Sequence, residues 1–479
     1  MRYGAPAILL SPGTFSRAAA FYPQVLALQP HPDVERFFGL NRQEIIDRYC
    51  RHHPEVNATE LGRVLRQRCR HLMWAGSDLL LVRGAHISRQ MVVLETNSCP
   101  SGQKSMPRLE TRDCHGGYLR LARALFDPAR AGSTAVLYDK NPMEALGYAS
   151  TLADHLQHPV FLVQFHQDDP DAAVRFSTGV MQVRDEAGRW HVVDRAFRYV
   201  TQRPWTRLPL RTGTQIVNPV LACLCGGRNK LMAHRAYERL NFQLHGTGLE
   251  VRTPVTFCDV ELENVGDLVA ALGGRAVVKV PYSNAGQGIY ILTDRATLAA
   301  FQQNSHDYDR FVVQELVEDV ETSGGFLEKH VHVGTRGDGE GRRFAFDLRM
   351  LVCSGPQGFE PLAAYARRAP DPLGSDSDAP RRFVTNLSSR DATGAWSIDD
   401  SRLVPLGATE FDMLGLALDD LIDAYVQTVL SVWAIEEMSR SLLDGQGDFS
   451  YEAFHELNGD DALLRELLAA PTKDVVAHR

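Results

Sequence analysis

The sequence predicts a mixed α/β (α+β) fold with more than one domain, and three observations carry that prediction. The chain has 479 residues, which at roughly 150 residues per domain suggests about three domains. From Thr134 an apolar run (TAVLYD), a helix-like segment (Pro142 to Leu156) and a second apolar run (PVFLVQF) give a β-α-β rhythm, which implies a parallel strand pair. From Arg228 onward, short strand-like runs again alternate with helical stretches.

The elements follow in order. Residues 1 to 130 form a mixed region, with helical periodicity from about Arg42 to Trp74, apolar runs at Asp78 to Arg83 and Met91 to Glu95, and then a Gly/Ser/Pro loop. Residues 131 to 220 read as a small α/β domain that also contains GVMQVRD and HVVDRAF, split by the turn Glu186-Ala187-Gly188-Arg189. Residues 221 to 310 open with a helical period from Arg228 to Leu240 and pass through Gly246 and Gly248 to VRTPVTF. A helix near Val265 to Leu272, the strands AVVKV and IYIL around a Gly-rich loop, and a helix near Ala296 to Gln303 complete that segment. Residues 311 to 479 carry the strands RFVVQELV, FAFDLRMLVC and FEPLAAYARR, a solvated loop at 375–380 and a helical insertion at about 410 to 443.

A formal net charge of −8 with 23% charged residues gives no long-range pull toward nucleic acid or anionic membrane. The partners expected are small molecules. The eight cysteines are scattered through the chain, which reads as a reducing, cytoplasmic setting. Cys223 and Cys225 have no neighbouring pair to complete a zinc set and read as small buried apolar groups. The opening MRYGAPAILLSPG is too short in its apolar run for a signal peptide. The stretch Leu414 to Trp433 is interrupted by Asp419, Asp420 and Asp423, which argues against a membrane span.

The segment Ala276-Val-Val-Lys279-Val-Pro-Tyr-Ser283-Asn-Ala-Gly286-Gln287-Gly288 carries the most chemical information. A lysine inside an apolar strand needs an anionic partner, because burying an unpaired ammonium is costly. A polyphosphate would supply one, and Ser and Gly residues let backbone N–H groups close on its oxygens. The plain alternative is an edge hairpin with an exposed lysine. Upstream, Asn229-Lys230 opens a helix. Downstream, VVQELVE offers backbone groups near Gln314, Glu315 and Leu316 to an adenine edge, and Glu318 to ribose hydroxyls. In Phe346-Asp347-Leu348-Arg349 a carboxylate and a guanidinium stand two apart, on one face of a strand. Arg367 and Arg368, the string TNLS with Asn386, and Glu456-Leu457-Asn458 follow.

The ordered series NK, VVK with a Gly-rich loop, VVQELVE, DLR, TNLS and ELN resembles the ATP-grasp superfamily. The likeness is greatest to its carboxylate–amine ligase branch, which includes glutathione synthetase, D-alanine–D-alanine ligase and the ribosomal-protein glutamate ligases. It covers about 220 to 460. It implies an ATP-grasp fold preceded by an N-terminal region and a pre-ATP-grasp domain, with ATP and Mg²⁺ as cofactors. It further implies an amide- or peptide-forming reaction through an acyl phosphate, with a small-molecule kinase or a non-catalytic nucleotide-binding module as alternatives. By this resemblance Lys230 and Lys279 hold the phosphates and Ser283, Gly286, Gln287 and Gly288 fold over them. Gln314, Glu315, Leu316 and Glu318 face the adenosine, and Asp347, Glu456 and Asn458 bind Mg²⁺. Arg349, with Arg368, steadies the transferred phosphoryl group. Relatives of this type form dimers or tetramers, so a homodimer is expected.

Two departures stand out. The gap from Asn386 to Glu456 is long, leaving Glu410 and Asp412 as further candidates for the second metal carboxylate, and the ELN string lacks the proline of the usual E-x-N-x-x-P-G. A similar string lies near the start, Glu95-Thr96-Asn97-Ser98-Cys99-Pro100-Ser101-Gly102-Gln103-Lys104. Its GQKS ending fails the P-loop spacing, and Glu95, Asn97, Ser101 and Lys104 are expected to contact substrate rather than form a plain turn. Cys99 has no histidine beside it in sequence and is not expected to be a nucleophile. No general base can be chosen among the 17 histidines.

Overall fold

The computed structural model describes residues 4–84, 87–106, 109, 114–166, 169–200, 207–283, 288–319, 329–390 and 396–469. Its architecture is mixed α/β, with three principal sheets.

The run TAVLYD forms the strand Thr134–Tyr138, with Ala135, Val136 and Leu137 fully buried, as a strand covered on both faces requires. It lies between the parallel strands Val160–Gln164 and Arg195–Tyr199, with Gln215–Val217 parallel at one edge and Ile8–Leu10 antiparallel at the other. The crossover helix is Pro142–Leu156. Gly147 lets it approach the helix Gly117–Leu125, since a Cβ there would lie 2.7 Å from the Tyr118 ring.

The second sheet is antiparallel and joins distant parts of the chain. Strand Trp74–Arg83 pairs on one side with Gln90–Ser98 and on the other with Phe346–Gly355, which in turn pairs with Gly358–Arg368. Leu403–Val404 closes one end, and Val331–His332 lies beside Val82 and Arg83. Residues 74–98 and 346–368 therefore share one sheet, and a division at residue 130 cuts across it.

The helix Leu418–Ser441 packs on this sheet and is buried along most of its length. Its three N-terminal aspartates are neutralised locally: Asp419 by Arg48, Asp420 by Arg89 and Asp423 by Arg252. Farther along, Thr428, Ser431 and Ser439 return their hydroxyls to carbonyls three or four residues earlier, which satisfies them without water. The stretch Leu414 to Trp433 thus lies mostly in a core helix, and among the described residues no helix is long and apolar enough to cross a membrane. The insertion expected as one helical region is two helices, broken where Gly415 takes φ +63° after Ala408–Leu414.

The third sheet, in the order Thr256–Glu261, Arg310–Glu315, Ala276–Lys279, Ile289–Leu292, is antiparallel. It has its own core of Val265, Val269, Phe301 and Phe311, drawn partly from the helices Val265–Ala271 and Arg295–Gln303. The helix Lys230–Gln243 packs both on this sheet and on Leu418–Ser441.

Residues Tyr451–Leu457, which carry Glu456, form a helix. Ser450 caps it by accepting from the Ala453 N–H.

Candidate functional site

The second and third sheets enclose a cavity of about 1440 Å³, counting space open to solvent. Strand register explains its charge. Glu95, Asp78, Arg349 and Tyr365 are successive cross-strand partners in one row, and Asp347 stands opposite Arg367 in the next. Side chains on one face repeat every two residues, so Asp347 and Arg349 share the face that the DLR spacing predicted. Arg349 donates to both Asp78 oxygens, at 2.5 and 2.7 Å. Arg367 donates to Asp347 at 2.9 Å and through a second, shorter contact, and it also reaches Asp78 at 2.8 Å. Burial alone would raise the Asp78 carboxyl, yet the Arg349 and Arg367 guanidiniums hold it well below the usual carboxylate range. Asn386 accepts from Arg367 at 3.3 Å and completes this wall.

The facing wall carries the two predicted lysines. Lys279 ends its strand at 7% exposure and donates to Gln314 Oε1 at 2.7 Å. The Gln314 amide donates to Thr256 at 2.8 Å, which fixes its orientation. Burial pushes the Lys279 ammonium down to about 8, with Glu95 opposing that shift and Lys230 adding to it. Lys230 begins the helix that Asn229 caps, donates to the Ser283 carbonyl at 2.9 Å and lies 3.6 Å from Glu95. Burial alone would raise Glu95, but Lys230 holds it below its ordinary value. Asn97 donates to Glu95 at 3.1 Å and accepts from Arg228 at 3.0 Å.

Lys230, Lys279, Ser283, Gln314, Glu315, Leu316, Glu95, Asn97 and Asp347 therefore line one cavity. Gly288 takes φ +64° at the return of the hairpin, where a Cβ would lie 2.8 Å from Val280. Gly286 and Gln287 fall outside the described residues. Glu315 is held by His330, whose Nδ1 lies 2.8 Å away and whose N–H donates to it at 2.6 Å.

Other expectations are corrected by position. Glu456 lies exposed on the helix Tyr451–Leu457, and Asn458 is buried against the Tyr282 hydroxyl at 2.8 Å; neither lines the cavity, and the E-x-N string that does is Glu95 to Asn97. Glu410 and Asp412 belong to the helix Ala408–Leu414, also outside the lining. Glu318 does not line the cavity because Arg275 takes both its oxygens, at 2.8 and 2.7 Å. Arg368 lies over the Phe344 ring at 4.6 Å, and Arg367 is the arginine that faces in.

Ser101 and Lys104 serve the fold. The fully buried Glu144 accepts from Ser101 Oγ (2.7 Å), Gly102 N (2.7 Å), Gln103 N (2.8 Å) and the Tyr199 hydroxyl (2.7 Å), with Lys104 at 3.9 Å. The loop is pinned so that the Ser101 carbonyl accepts from Tyr365 at 2.9 Å and Arg349 at 3.3 Å. Cys99 donates to the Arg198 carbonyl at 2.8 Å, and burial pushes its thiol up to about 11, as suits an inert core thiol. Sequence reading missed Asp78 and Arg228. Arg367 was overlooked in favour of its neighbour.

Comparison with solved structures finds likenesses that all fall below a TM-score of 0.5. D-alanyl-alanine synthetase A from Vibrio cholerae matches at 11% identity over 49% of this chain and 89% of that one, with a TM-score of 0.32. A glutathione synthetase-like effector from Globodera pallida matches at 9% identity over 71% of this chain and 86% of that one, with a TM-score of 0.38. A RimK domain ATP-grasp protein from Sphaerobacter thermophilus matches at 14% identity over 48% and 90%, with a TM-score of 0.29. No protein-family model matches the sequence, and no curated protein matches it.

Proposed function

We propose that this chain is an ATP-dependent carboxylate–amine ligase, which joins a small-molecule acid, such as an amino acid or peptide, to an amine and releases ADP and phosphate. The observation that carries the reading is the meeting, in one cavity, of two lysines on one wall with an oxygen-rich, arginine-braced row on the other. A carboxylate that approaches a triphosphate meets repulsion of about 4 kcal/mol for each unit pair near 4 Å at an effective dielectric of 20. Lys230 and Lys279 would offset that charge along the phosphates, with Ser283 beside them at the lining. Asp347, Glu95 and Asn97 offer the hard oxygen donors that suit Mg²⁺, and a bound Mg²⁺ would neutralise charge on the phosphate oxygens. Arg367, held by Asp347 and Asp78, lines the cavity and would offer positive charge to a transferred phosphoryl group, whereas the predicted Arg349 lies outside the lining and braces Asp78.

In the proposed reaction a substrate carboxylate oxygen attacks the γ-phosphorus, and the bond to ADP breaks to leave an acyl phosphate. The amine then attacks the acyl carbon, phosphate leaves with the bonding pair, and the amine gives up a proton. Closure of the third sheet over the cavity would exclude the water that hydrolyses the intermediate.

The test is ³¹P and mass analysis of products from MgATP with pooled amino acids, short peptides and amines. ADP and phosphate together with a condensed product one water lighter than its parts is the expected result. A stably phosphorylated metabolite with ADP would replace this reading by the kinase alternative, and AMP with pyrophosphate would overturn the acyl-phosphate route.

A further inference from the structure

Beyond the oxygen-lined reaction centre, we propose a second and softer metal site, for Zn²⁺, formed by His234, Glu238 and Cys258 where the helix Lys230–Gln243 meets the third sheet. His234 and Glu238 are one turn apart on a helix face, with His234 Nε2 3.6 Å from Glu238 Oε1. The Cys258 sulfur joins them, so that the three donor atoms all lie within 4.8 Å of one another. A tetrahedral ion with bonds of about 2.0–2.3 Å needs its ligands roughly 3.3–3.8 Å apart. The histidine–glutamate pair already has that spacing, and small rotamer adjustments bring in the sulfur.

The backbone aims Cys258 at the helix. Pairing between Thr256–Glu261 and Arg310–Glu315 shifts between Phe257 and Val260, and Asp259 takes φ +61°. A bulge of this kind re-aims a side chain that regular pairing would leave on the sheet face. The Arg235–Asp259 ion pair at 3.4 Å ties the bulge to the same helix.

The donor set defines the ion. Thiolate with imidazole and one carboxylate suits Zn²⁺ or Co²⁺ and is unsuited to Mg²⁺, which prefers all-oxygen octahedral shells. Three protein ligands leave a fourth position for water. A thiol binds such an ion as thiolate, so binding releases a proton to solvent. The consequence is mechanical. His234 lies one turn beyond Lys230 and itself lines the nucleotide cavity, so an ion here staples the phosphate-facing end of that helix to the sheet that would close over ATP.

The experiment titrates chelator-treated full-length protein with Co²⁺ in the absence of nucleotide. The expected result is one equivalent bound, with thiolate-to-cobalt charge-transfer absorption and tetrahedral d–d bands. Zn²⁺ displaces the ion, and excess Mg²⁺ does not. Cys258→Ser abolishes the charge-transfer band. His234→Ala and the exposed-site Glu238→Gln keep the band but weaken Co²⁺ binding about tenfold or more, with unchanged circular dichroism. Absence of the band in the parent protein, its persistence in Cys258→Ser, or unaltered affinity in both other variants overturns the site. Since no nucleotide is present, the outcome is independent of the ligase reading.

Discussion

Replacing Asp78 by alanine tests whether the charged row is a coupled unit. Asp78 is 3% exposed and accepts twice from Arg349 and once from Arg367. In the variant Arg367 keeps Asp347 and Asn386, whereas Arg349 keeps only the Ser101 carbonyl and the Tyr365 hydroxyl, both at 3.3 Å. Breaking a buried ion pair by removing one partner costs about 3–5 kcal/mol, a large part of the 5–15 kcal/mol typical of a folded protein. Urea unfolding of Asp78→Ala, Arg349→Met and the double variant supplies the measurement. The double variant should lose less than the sum of the singles, by about 1–3 kcal/mol, because it removes both charges. The pH dependence has a definite sign. The native Asp78 carboxyl is held below its unfolded value, so its stabilisation is present above roughly pH 4 and lost as the pH falls toward the native value. The gap between parent and Asp78→Ala therefore narrows in acid. An Asp78→Ala protein within about 0.5 kcal/mol of the parent, or strictly additive singles, would refute the reasoning.

Glu95→Gln should abolish Mg²⁺-dependent turnover while Glu456→Gln leaves it near the parent level, as steady-state kinetics over a Mg²⁺ series would read. MgATP affinity should fall as pH rises through about 8, where Lys279 loses its proton; calorimetry should find that step missing in Lys279→Met, which binds at least about tenfold more weakly. Glu144→Ala leaves several buried donors without their acceptor, and thermal or urea unfolding should record a loss of about 3–5 kcal/mol. Gly288→Ala forces a Cβ to 2.8 Å from Val280 at a positive φ, so nucleotide affinity measured by calorimetry should drop with little change in unfolding of the rest.

What the sequence discloses here is local. The β-α-β rhythm, the lysine in its apolar strand and the two-residue spacing of Asp347 and Arg349 depend on neighbours a few positions away, and all are legible. Asp78 belongs with Arg349 across a separation of 271 residues, a pairing that no local pattern announces. Arg367 and Arg368 are adjacent, and only the register against Asp347 decides which faces inward. Glu318 has the right chemistry for a ribose, but Arg275, just before the strand Ala276–Lys279, claims it. Ser450 before Tyr451-Glu-Ala-Phe is a helix-start signal legible in the sequence. The string at Glu95 retains the proline as Pro100, with Ser101 before Gly102, and lies far from the chain end where the resemblance places it.

That long-range pairing has a cost in time. During synthesis the strand Trp74–Arg83 leaves the ribosome some 270 residues before the strand that covers its flank, which at 5–20 residues per second is a wait of roughly 15–55 s. Meanwhile an apolar edge carrying Leu79 and Leu81 stays open to any neighbouring strand, and Asp78 waits beside Glu95 without its guanidinium. A nascent chain stopped short of residue 346 exposes that edge for good, so truncated products should be aggregation-prone and dependent on chaperones, whereas the finished chain hides the edge in the middle of a sheet.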